Sequence, residues 1–461
     1  MSLTWRAIRI LIKLEMAVGR FLAEILASVA PTAHAREVHE GLGISRIPGT
    51  LRRVFSFVNK LADRLVEASA SSLVLRPLAV ASGRYGAASP VLAVPLAYAL
   101  YLALALVSPL PIVDPALWVA GIALWTLAVA AYSLGARAAI SRVPGRAVIR
   151  LRGEGLLHFS LPLLIAGGVG LLVNYLRLGA IPLLYPELRR HDAFWMISYD
   201  AYLLGLSALV AWLSSAAGQK GSIRREDALI ACAGLMGISL ALTFPSGFRL
   251  DMVVALGTLI VAMWLGGLIK VRQVLAYLAA PGLLMFTFQK VILMARAGLT
   301  GDAYYVPVSR AGFTLYSLTL ILKTYSPWGM TYGILLFINP LLTMLGIPRP
   351  LVGALTGEAV VGLPVAYTTS MVGPIWIDFG VVGVAVVPLV LGAIAGGVLK
   401  LARSGDSAAK VLYPILLSAS LVWIESGPVH PYLYSFFAPA LALLVSGALR
   451  RGGDGNLSDK G

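Results

Sequence analysis

Apolar runs of about twenty residues recur along this chain, and they constrain its fold more than any other feature of the sequence. A helical residue advances about 1.5 Å, so such a run matches the roughly 30 Å hydrocarbon core of a bilayer. Inside lipid, every backbone N–H and C=O must bond within the protein, which leaves only helices and closed barrels. Barrel strands would show alternating segments of about ten residues instead. We therefore predict an all-α fold, that of a polytopic helical membrane protein.

Composition excludes most soluble classes of protein. Hydrophobic residues make up 59% of the 461 positions and charged residues 13%, whereas a soluble domain is about 25% charged. The net charge of +16 would suggest a nucleic-acid partner in a soluble protein. Here the basic residues lie mostly in the N-terminal segment and in short connectors, where anionic lipid headgroups account for them better. We expect membrane lipids as partners and no nucleic acid.

The hydropathy pattern divides the chain into three parts. Residues 1–87 contain two basic amphipathic stretches and no convincing span, which predicts a cytoplasmic segment that lies against the membrane. Residues 88–450 form the transmembrane region, and the polar, Gly-rich tail 451–461 is expected to be disordered. About ten spans are predicted, at 88–108, 115–136, 156–176, 196–217, 227–244, 251–269, 274–295, 374–399, 409–425 and 431–449.

The charges of the connectors predict the orientation. Every second connector is basic, and Lys and Arg are retained in the cytoplasm, so both termini are expected to be cytoplasmic in a multi-pass plasma-membrane protein. The opposite face then receives a long connector, 296–373, whose apolar stretches are broken by prolines. Long connectors with partial structure are usually functional. We expect helices that lie on or dip into the outer leaflet there; the alternative is a re-entrant or paired span at 312–346.

Arginines on the extracytoplasmic side oppose the usual charge bias. There are seven of them, Arg177, Arg189, Arg190, Arg249, Arg296, Arg310 and Arg349. Any one alone could be an interfacial residue that extends its charge to the headgroups. Seven together indicate a site for a phosphate-bearing substrate, because a guanidinium group binds phosphate through two parallel N–H bonds. The predicted phosphate-binding residues are Arg177, Arg249, Arg296, Arg310 and Arg349.

Among these arginines, Arg249 gives the clearest indication of a phosphate site. It follows a Pro/Ser/Gly turn in the stretch LTFPSGFRLD, between two predicted spans, and Asp251 comes two residues later. Backbone N–H groups at a helix start would add donors for a phosphate. The alternative is a local ion pair in which Asp251 caps the following helix.

Aromatic residues near the other arginines indicate where a sugar could bind. Tyr304 and Tyr305 lie between Arg296 and Arg310 at the start of the long connector. Aromatic rings stack on sugar faces, so we predict Tyr304, Tyr305 and Trp376 as sugar-binding residues. An ordinary belt of interfacial tyrosines is the alternative.

A transfer of sugar to a hydroxyl group needs a base within hydrogen-bond distance. Glu358 and Asp378 lie in or beside apolar segments, and burial would raise the pKa of their carboxyl groups towards neutrality. His430 is the third predicted catalytic residue, and His191 is a further candidate. For Asp378, a capping role at a helix start is an equal alternative.

No metal or cofactor is indicated. The chain has no HExxH or DxD motif and no GxxxxGKS-type phosphate loop. Its single cysteine, Cys232, also excludes an intrachain disulfide and a cysteine-rich metal site.

The C-terminal half resembles the O-antigen polymerases, which join oligosaccharide repeat units. The resemblance is carried by Ile347-Pro348-Arg349, by SMVGPIWIDFGVVGV, and by arginines at positions 249, 296 and 310. It covers roughly residues 240–400 and implies a GT-C-like, metal-independent glycosyltransferase. Such an enzyme would take glycan from a polyprenyl (pyro)phosphate carrier, with Arg249, Arg296 and Arg310 on the phosphates, and would pass it to a lipid-linked oligosaccharide acceptor.

Two other functions remain open at this stage. The related O-antigen ligases carry a loop histidine where this chain reads Tyr367-Thr368-Thr369-Ser370, which favours a polymerase over a ligase. A ligase or another polyprenyl-phosphate-dependent glycosyltransferase is the alternative among enzymes. A transporter or flippase of an anionic or lipid-linked solute is the alternative of a different class. Transporters often contain inverted repeats, and the two halves of this sequence show none.

Overall fold

A computed structural model describes residues 88–108, 114–144, 153–183, 192–218, 223–270, 274, 305–339, 342, 347, 357–358 and 370–428. Every regular element in these ranges is helical, which confirms the all-α prediction for them. The helices are α1 (Pro90–Leu106), α2 (Pro115–Arg142), α3 (Gly153–Leu178), α4 (Ala193–Gly218), α5 (Arg225–Thr243), α6 (Arg249–Leu265), α7 (Tyr305–Thr324), α8 (Val372–Arg403) and α9 (Ser407–Ser426). A 3₁₀ turn (Phe244–Ser246) precedes α6, and a π-helical turn (Ile334–Ile338) lies between α7 and α8.

Six described segments are long and apolar enough to cross a membrane, which supports an integral membrane protein. They are Pro115–Arg142, Gly155–Leu178, Ala193–Ala217, Arg225–Ser246, Val372–Arg403 and Ser407–Ser426. Helices α1 and α6 coincide with two more predicted spans but are shorter, at 17 residues each. The span predicted at 431–449 and nearly all of 274–295 lie outside the described residues, as do 1–87 and 451–461. The total of about ten spans therefore stays a prediction.

Small residues allow two of the longest helices, α2 and α8, to approach each other closely. A Cβ atom at Gly135 would lie 1.9 Å from the carbonyl oxygen of Leu389, and one at Gly392 would lie 1.9 Å from that of Tyr132. Lipid tails are as apolar as leucine, so helices in a bilayer associate through such close packing. Any larger residue at these two positions would separate α2 from α8.

Helix α9 runs through the interior of the bundle. It packs against α1, α4, α6 and α8, and most of its side chains are buried. Its first turn is capped by Asp406, whose Oδ1 accepts a hydrogen bond from the backbone N–H of Ala409 at 2.8 Å. Its last turn contains Glu425. The fold therefore carries a single acidic side chain on an apolar helix to one end of the bundle interior.

Helix α8 is interrupted at Gly380, where φ is 61° and ψ is −152°. This conformation belongs to a region that is essentially restricted to glycine. Backbone groups near the interruption bond to the segment that precedes the π-helical turn. Val381 N–H donates to the carbonyl oxygen of Pro327 at 2.9 Å, and Met330 N–H donates to that of Ile377 at 2.7 Å. Protein groups must satisfy freed backbone in this way wherever water is excluded.

Helix α7 lies within the predicted long connector and packs against α1, α2 and α8. Unlike the six candidate spans, α7 does not combine the length and the mean hydropathy of a membrane-spanning helix. Residues 296–304 and most of 340–369 are outside the described part of the chain. The extent of the long connector, and the choice between interfacial helices and a paired span at 312–346, stay predictions.

Candidate functional site

Arg310 and Glu425 form an ion pair between the first turns of α7 and the last turn of α9. Arg310 Nε donates to Glu425 Oε1 at 2.8 Å, although 115 positions separate the two residues in the chain. The side chain of Arg310 is 33% exposed and that of Glu425 is 15% exposed. The guanidinium group of Arg310 is therefore only partly buried.

Tyr101 links this pair to a second arginine. Its hydroxyl lies 3.1 Å from Thr314 Oγ1, one helical turn after Arg310. Tyr101 is also close enough to Glu425, Arg310 and Arg249 for all three charges to act on it. We call these five residues the arginine corner. Two of the predicted phosphate-binding residues, Arg249 and Arg310, which come from different helices, are thus both within electrostatic range of Tyr101.

The turn before Arg249 is fixed by its neighbours. Gly247 has a φ of 71°, which lets the 3₁₀ turn reverse the chain so that α6 begins at Arg249. Asp251 is fully buried in the first turn of α6, where a carboxylate suits the helix dipole, and Ser246 Oγ lies 3.4 Å from its Oδ2. From α4, Tyr199 donates to the carbonyl oxygen of Asp251 at 2.6 Å. These contacts place Arg249 on a constrained backbone.

Arg177 has a separate set of partners. It pairs with Asp192, bonds to Asn174 Oδ1 at 3.0 Å, and lies over the ring of Phe194 at 5.3 Å from the centroid. The side chains of Arg177 and Asp192 are 49% and 40% exposed, so this is a surface ion pair between the ends of α3 and α4. Its predicted role in phosphate binding stays untested.

Asp378 belongs to a second cluster, which we call the capping corner. It comprises Asp378, Thr331, Leu335 and Leu336. The side chain of Asp378 is fully buried. Oδ1 accepts bonds from the hydroxyl of Thr331 and from Leu335 N–H at 3.1 Å, and Oδ2 accepts one from Leu336 N–H at 2.9 Å. The carboxylate thus caps the start of the π-helical turn. The prediction of a catalytic role stays untested, and these bonds favour the capping alternative, although the capped element is not α8 itself.

Trp376 contacts Tyr325, which follows α7, and the charge of Glu358 acts on the same tyrosine. Trp376 is only 7% exposed, and its Nε1–H donates to the carbonyl oxygen of Tyr325 at 3.2 Å. Burial and, to a lesser extent, the charge of Glu358 raise the pKa of Tyr325 above its ordinary value. Little of the Trp376 ring is therefore open to a sugar face, whereas the side chain of Glu358 is exposed.

Several predicted site residues cannot be placed. Arg296, Arg349, Tyr304, His191 and His430 lie outside the described residues, and for Tyr305 only the backbone at the start of α7 is described. Within the described part of the chain, no three His, Cys, Asp or Glu side chains come together as a metal site requires.

Sequence reasoning missed Glu425 and Tyr101 as members of the site. Glu425 carried one usable signal, because it is a lone acid at the end of an otherwise apolar helix. An ionisable residue in such a position is a functional-site hypothesis by default. Tyr101 offered no comparable signal, since tyrosines are common in membrane helices near the interface.

Comparison with known proteins identifies the family. A family model described as "Putative O-antigen polymerase" matches residues 87–437, far more than half of the chain. No curated protein and no solved structure matches the chain. The matched range begins just before α1 and contains both the arginine corner and the capping corner. The chain therefore belongs to the O-antigen polymerase family.

Proposed function

We propose that this membrane glycan polymerase takes glycan from a polyprenyl (pyro)phosphate donor and transfers it to an acceptor sugar hydroxyl on the extracytoplasmic face. The arginine corner would hold the phosphate. One observation carries the proposal: Arg310 is partly exposed while Glu425 fixes its Nε edge, and the charges of Arg310 and Arg249 both act on Tyr101. A guanidinium group has five N–H donors, so a bond through Nε is compatible with a second contact through its Nη groups.

Transfer of the glycan requires positive charge near the leaving group, which is the phosphate of the donor. The acceptor oxygen forms a bond to the anomeric carbon of the donor sugar, and the bond from that carbon to the phosphate oxygen breaks. The departing electron pair stays on the phosphate, where fixed donors stabilise the developing charge without reorganising. A base takes the proton of the acceptor hydroxyl. Arg249 and Arg310 suit the first task, and the predicted bases Glu358, Asp378 and His430 remain candidates for the second.

Substitution of Arg310 tests the proposal. Arg310→Ala is expected to lower the rate of chain extension in membrane vesicles by 100-fold or more, on the order seen when one such donor is removed. Arg310→Lys is expected to restore only part of the rate, because an ammonium group cannot make the two-pronged contact. The polymer length is read from gels of the extracted glycan, and the protein content of the membrane is measured in parallel.

Lys323 supplies the matched control. It is an exposed cation in the last turn of the same helix. Lys323→Ala removes one positive charge from α7 but none from the arginine corner, so extension should be unchanged. Normal polymer length in Arg310→Ala, or full rescue by lysine, would contradict a phosphate site built on the arginine fork.

A further inference from the structure

Glu425 connects three helices at the arginine corner. Its side chain bonds to Arg310 on α7, and its backbone carbonyl oxygen accepts a hydrogen bond from Ser370 N–H, just before α8, at 2.9 Å. Ser370 is fully buried and has a φ of 62°, an uncommon conformation for a residue other than glycine. A Cβ atom at Gly427 would lie 2.7 Å from the carbonyl oxygen of Ser370. The backbone on both sides of Glu425 is therefore held in one position.

The location of this carboxylate is unfavourable for the helix that bears it. Glu425 lies in the last turn of α9, where the helix dipole is negative and a cation would be preferred. Its side chain is only 15% exposed, so the carboxylate has also lost most of its hydration. Partly buried ion pairs contribute little to stability compared with apolar side chains of similar size. Folding alone gives no reason to place an acid here.

We infer that Glu425 is a positioning residue, which orients the Arg310 guanidinium for the phosphate of the donor. This inference rests on the function proposed above. Arginine has a flexible side chain, and fixing its Nε edge to a carboxylate selects one orientation of the planar fork. Because the backbone at Glu425 is held by Ser370 and Gly427, the orientation of Arg310 is tied to the relative position of α7, α8 and α9.

The direction of the change in anion binding distinguishes an orienting role of Glu425 from a general electrostatic effect. Removal of a negative charge beside an anion site strengthens anion binding when only the summed field matters. Removal of a group that aligns the anion's partner weakens binding and slows the reaction, since a misplacement of about 1 Å can cost about 100-fold in rate. Glu425→Met removes both the charge and the acceptor oxygen, and it therefore gives opposite results in the two cases.

The experiment measures binding of farnesyl diphosphate to the full-length protein in detergent, together with chain extension in membrane vesicles. For Glu425→Met, which is of similar length but has no oxygen to accept the Arg310 bond, we expect binding about tenfold weaker and extension about 30-fold slower, at an unchanged melting temperature. Glu425→Asp keeps the charge and should recover part of both losses. In an Arg310→Lys background, Glu425→Met should have little further effect, because lysine has no planar fork for a carboxylate to orient.

Asp406→Asn is the matched control. It exchanges an acid for an amide at the opposite end of the same helix, where asparagine caps as well as aspartate, and it should leave binding and extension unchanged. Equal or tighter binding with normal extension in Glu425→Met would overturn the positioning role. So would a fall in melting temperature large enough to explain slow extension, or additive losses with Arg310→Lys. If Arg310→Ala itself binds and extends normally, the proposed function fails first.

Discussion

The arginine corner and the capping corner both place a carboxylate near a helix end, and they use it differently. Asp378 is fully buried, and both of its oxygens accept hydrogen bonds from the segment between Thr331 and Leu336. Glu425 is slightly exposed and bonds through Oε1 to a partly exposed arginine. A carboxylate whose acceptors are occupied by backbone N–H groups fixes local structure. A carboxylate that bonds to a partly exposed cation can influence what that cation binds.

The two corners are connected through the start of α8. Ser370, just before this helix, bonds to the backbone of Glu425, and Asp378 lies about two turns further along. The interruption at Gly380 follows immediately, and the backbone around it forms hydrogen bonds with the segment 327–332. Two residues of the motif Asp378-Phe379-Gly380 thus have structural roles, because Asp378 caps the π-helical turn and Gly380 interrupts α8. We expect substitutions there to affect folding and those at the arginine corner to affect catalysis.

Gly380→Ala should give the largest effect on folding. A Cβ atom at this position would lie 2.0 Å from the carbonyl oxygen of Pro327, and the backbone conformation is one that alanine rarely adopts. We expect a loss of about 3 kcal/mol or more in the free energy of unfolding, seen as a lower melting temperature in detergent or as little protein in the membrane.

Gly397→Ala is the control for this change, because it lies in the same helix. There a new Cβ would make only an ordinary contact, 3.6 Å from Val143 Cγ2. Its melting temperature should match that of the wild type or exceed it slightly. A Gly380→Ala protein as stable as Gly397→Ala would show that α8 can run unbroken and that the capping corner is dispensable.

Asp378→Asn should give an intermediate effect. The amide presents a donor in place of one oxygen, which leaves an N–H group of the π-helical turn facing another donor, at a cost of about 1–3 kcal/mol. Extension per folded molecule should stay within about threefold of wild type, because no proton transfer is lost under the capping interpretation. Thermal unfolding and vesicle extension, both normalised to folded protein, measure the two quantities.

Asp114→Asn is the matched acid-to-amide change at another cap. Asp114 uses a single oxygen, Oδ1, to accept from Ala116 N–H at 2.9 Å and Leu117 N–H at 3.2 Å, so asparagine can keep both bonds. Its stability should not change. If Asp378→Asn instead kept full stability and lost extension, Asp378 would be the base after all, and the contrast between the two corners would be removed.

Sequence reasoning located most described helices because the length of an apolar run is a local property. Eight of the ten predicted spans coincide with helices α1 to α6, α8 and α9. It did not predict the interruption at Gly380, since glycine is frequent in membrane helices and here the conformation is set by bonds from residues about fifty positions earlier. The role of Asp378 was left open for the same reason, because the turn that it caps is remote in sequence.

The site was predictable only in part, and the reason is again sequence separation. Side-chain chemistry singled out Arg249 and Arg310, and the charges of both act on Tyr101. The partner of Arg310 is 115 residues away, and no local pattern connects an arginine in one helix with a glutamate in another. A pattern also cannot tell an arginine that binds a ligand from one that pairs with a neighbouring acid, as Arg177 does with Asp192.

Arg177→Ala should give the smallest effect of all. The ion pair with Asp192 is exposed on both sides, and such pairs contribute about 0–1 kcal/mol to stability. We expect a melting temperature within about 2 °C of wild type and an unchanged polymer length, with any stability difference reduced further in high salt. Asp192→Asn keeps the bond that Trp195 N–H donates to Oδ1 but removes the charge, so it should match Arg177→Ala. Shorter polymers from Arg177→Ala but not from Asp192→Asn would mean that Arg177 binds the donor, and the phosphate site would then extend from the arginine corner to the ends of α3 and α4.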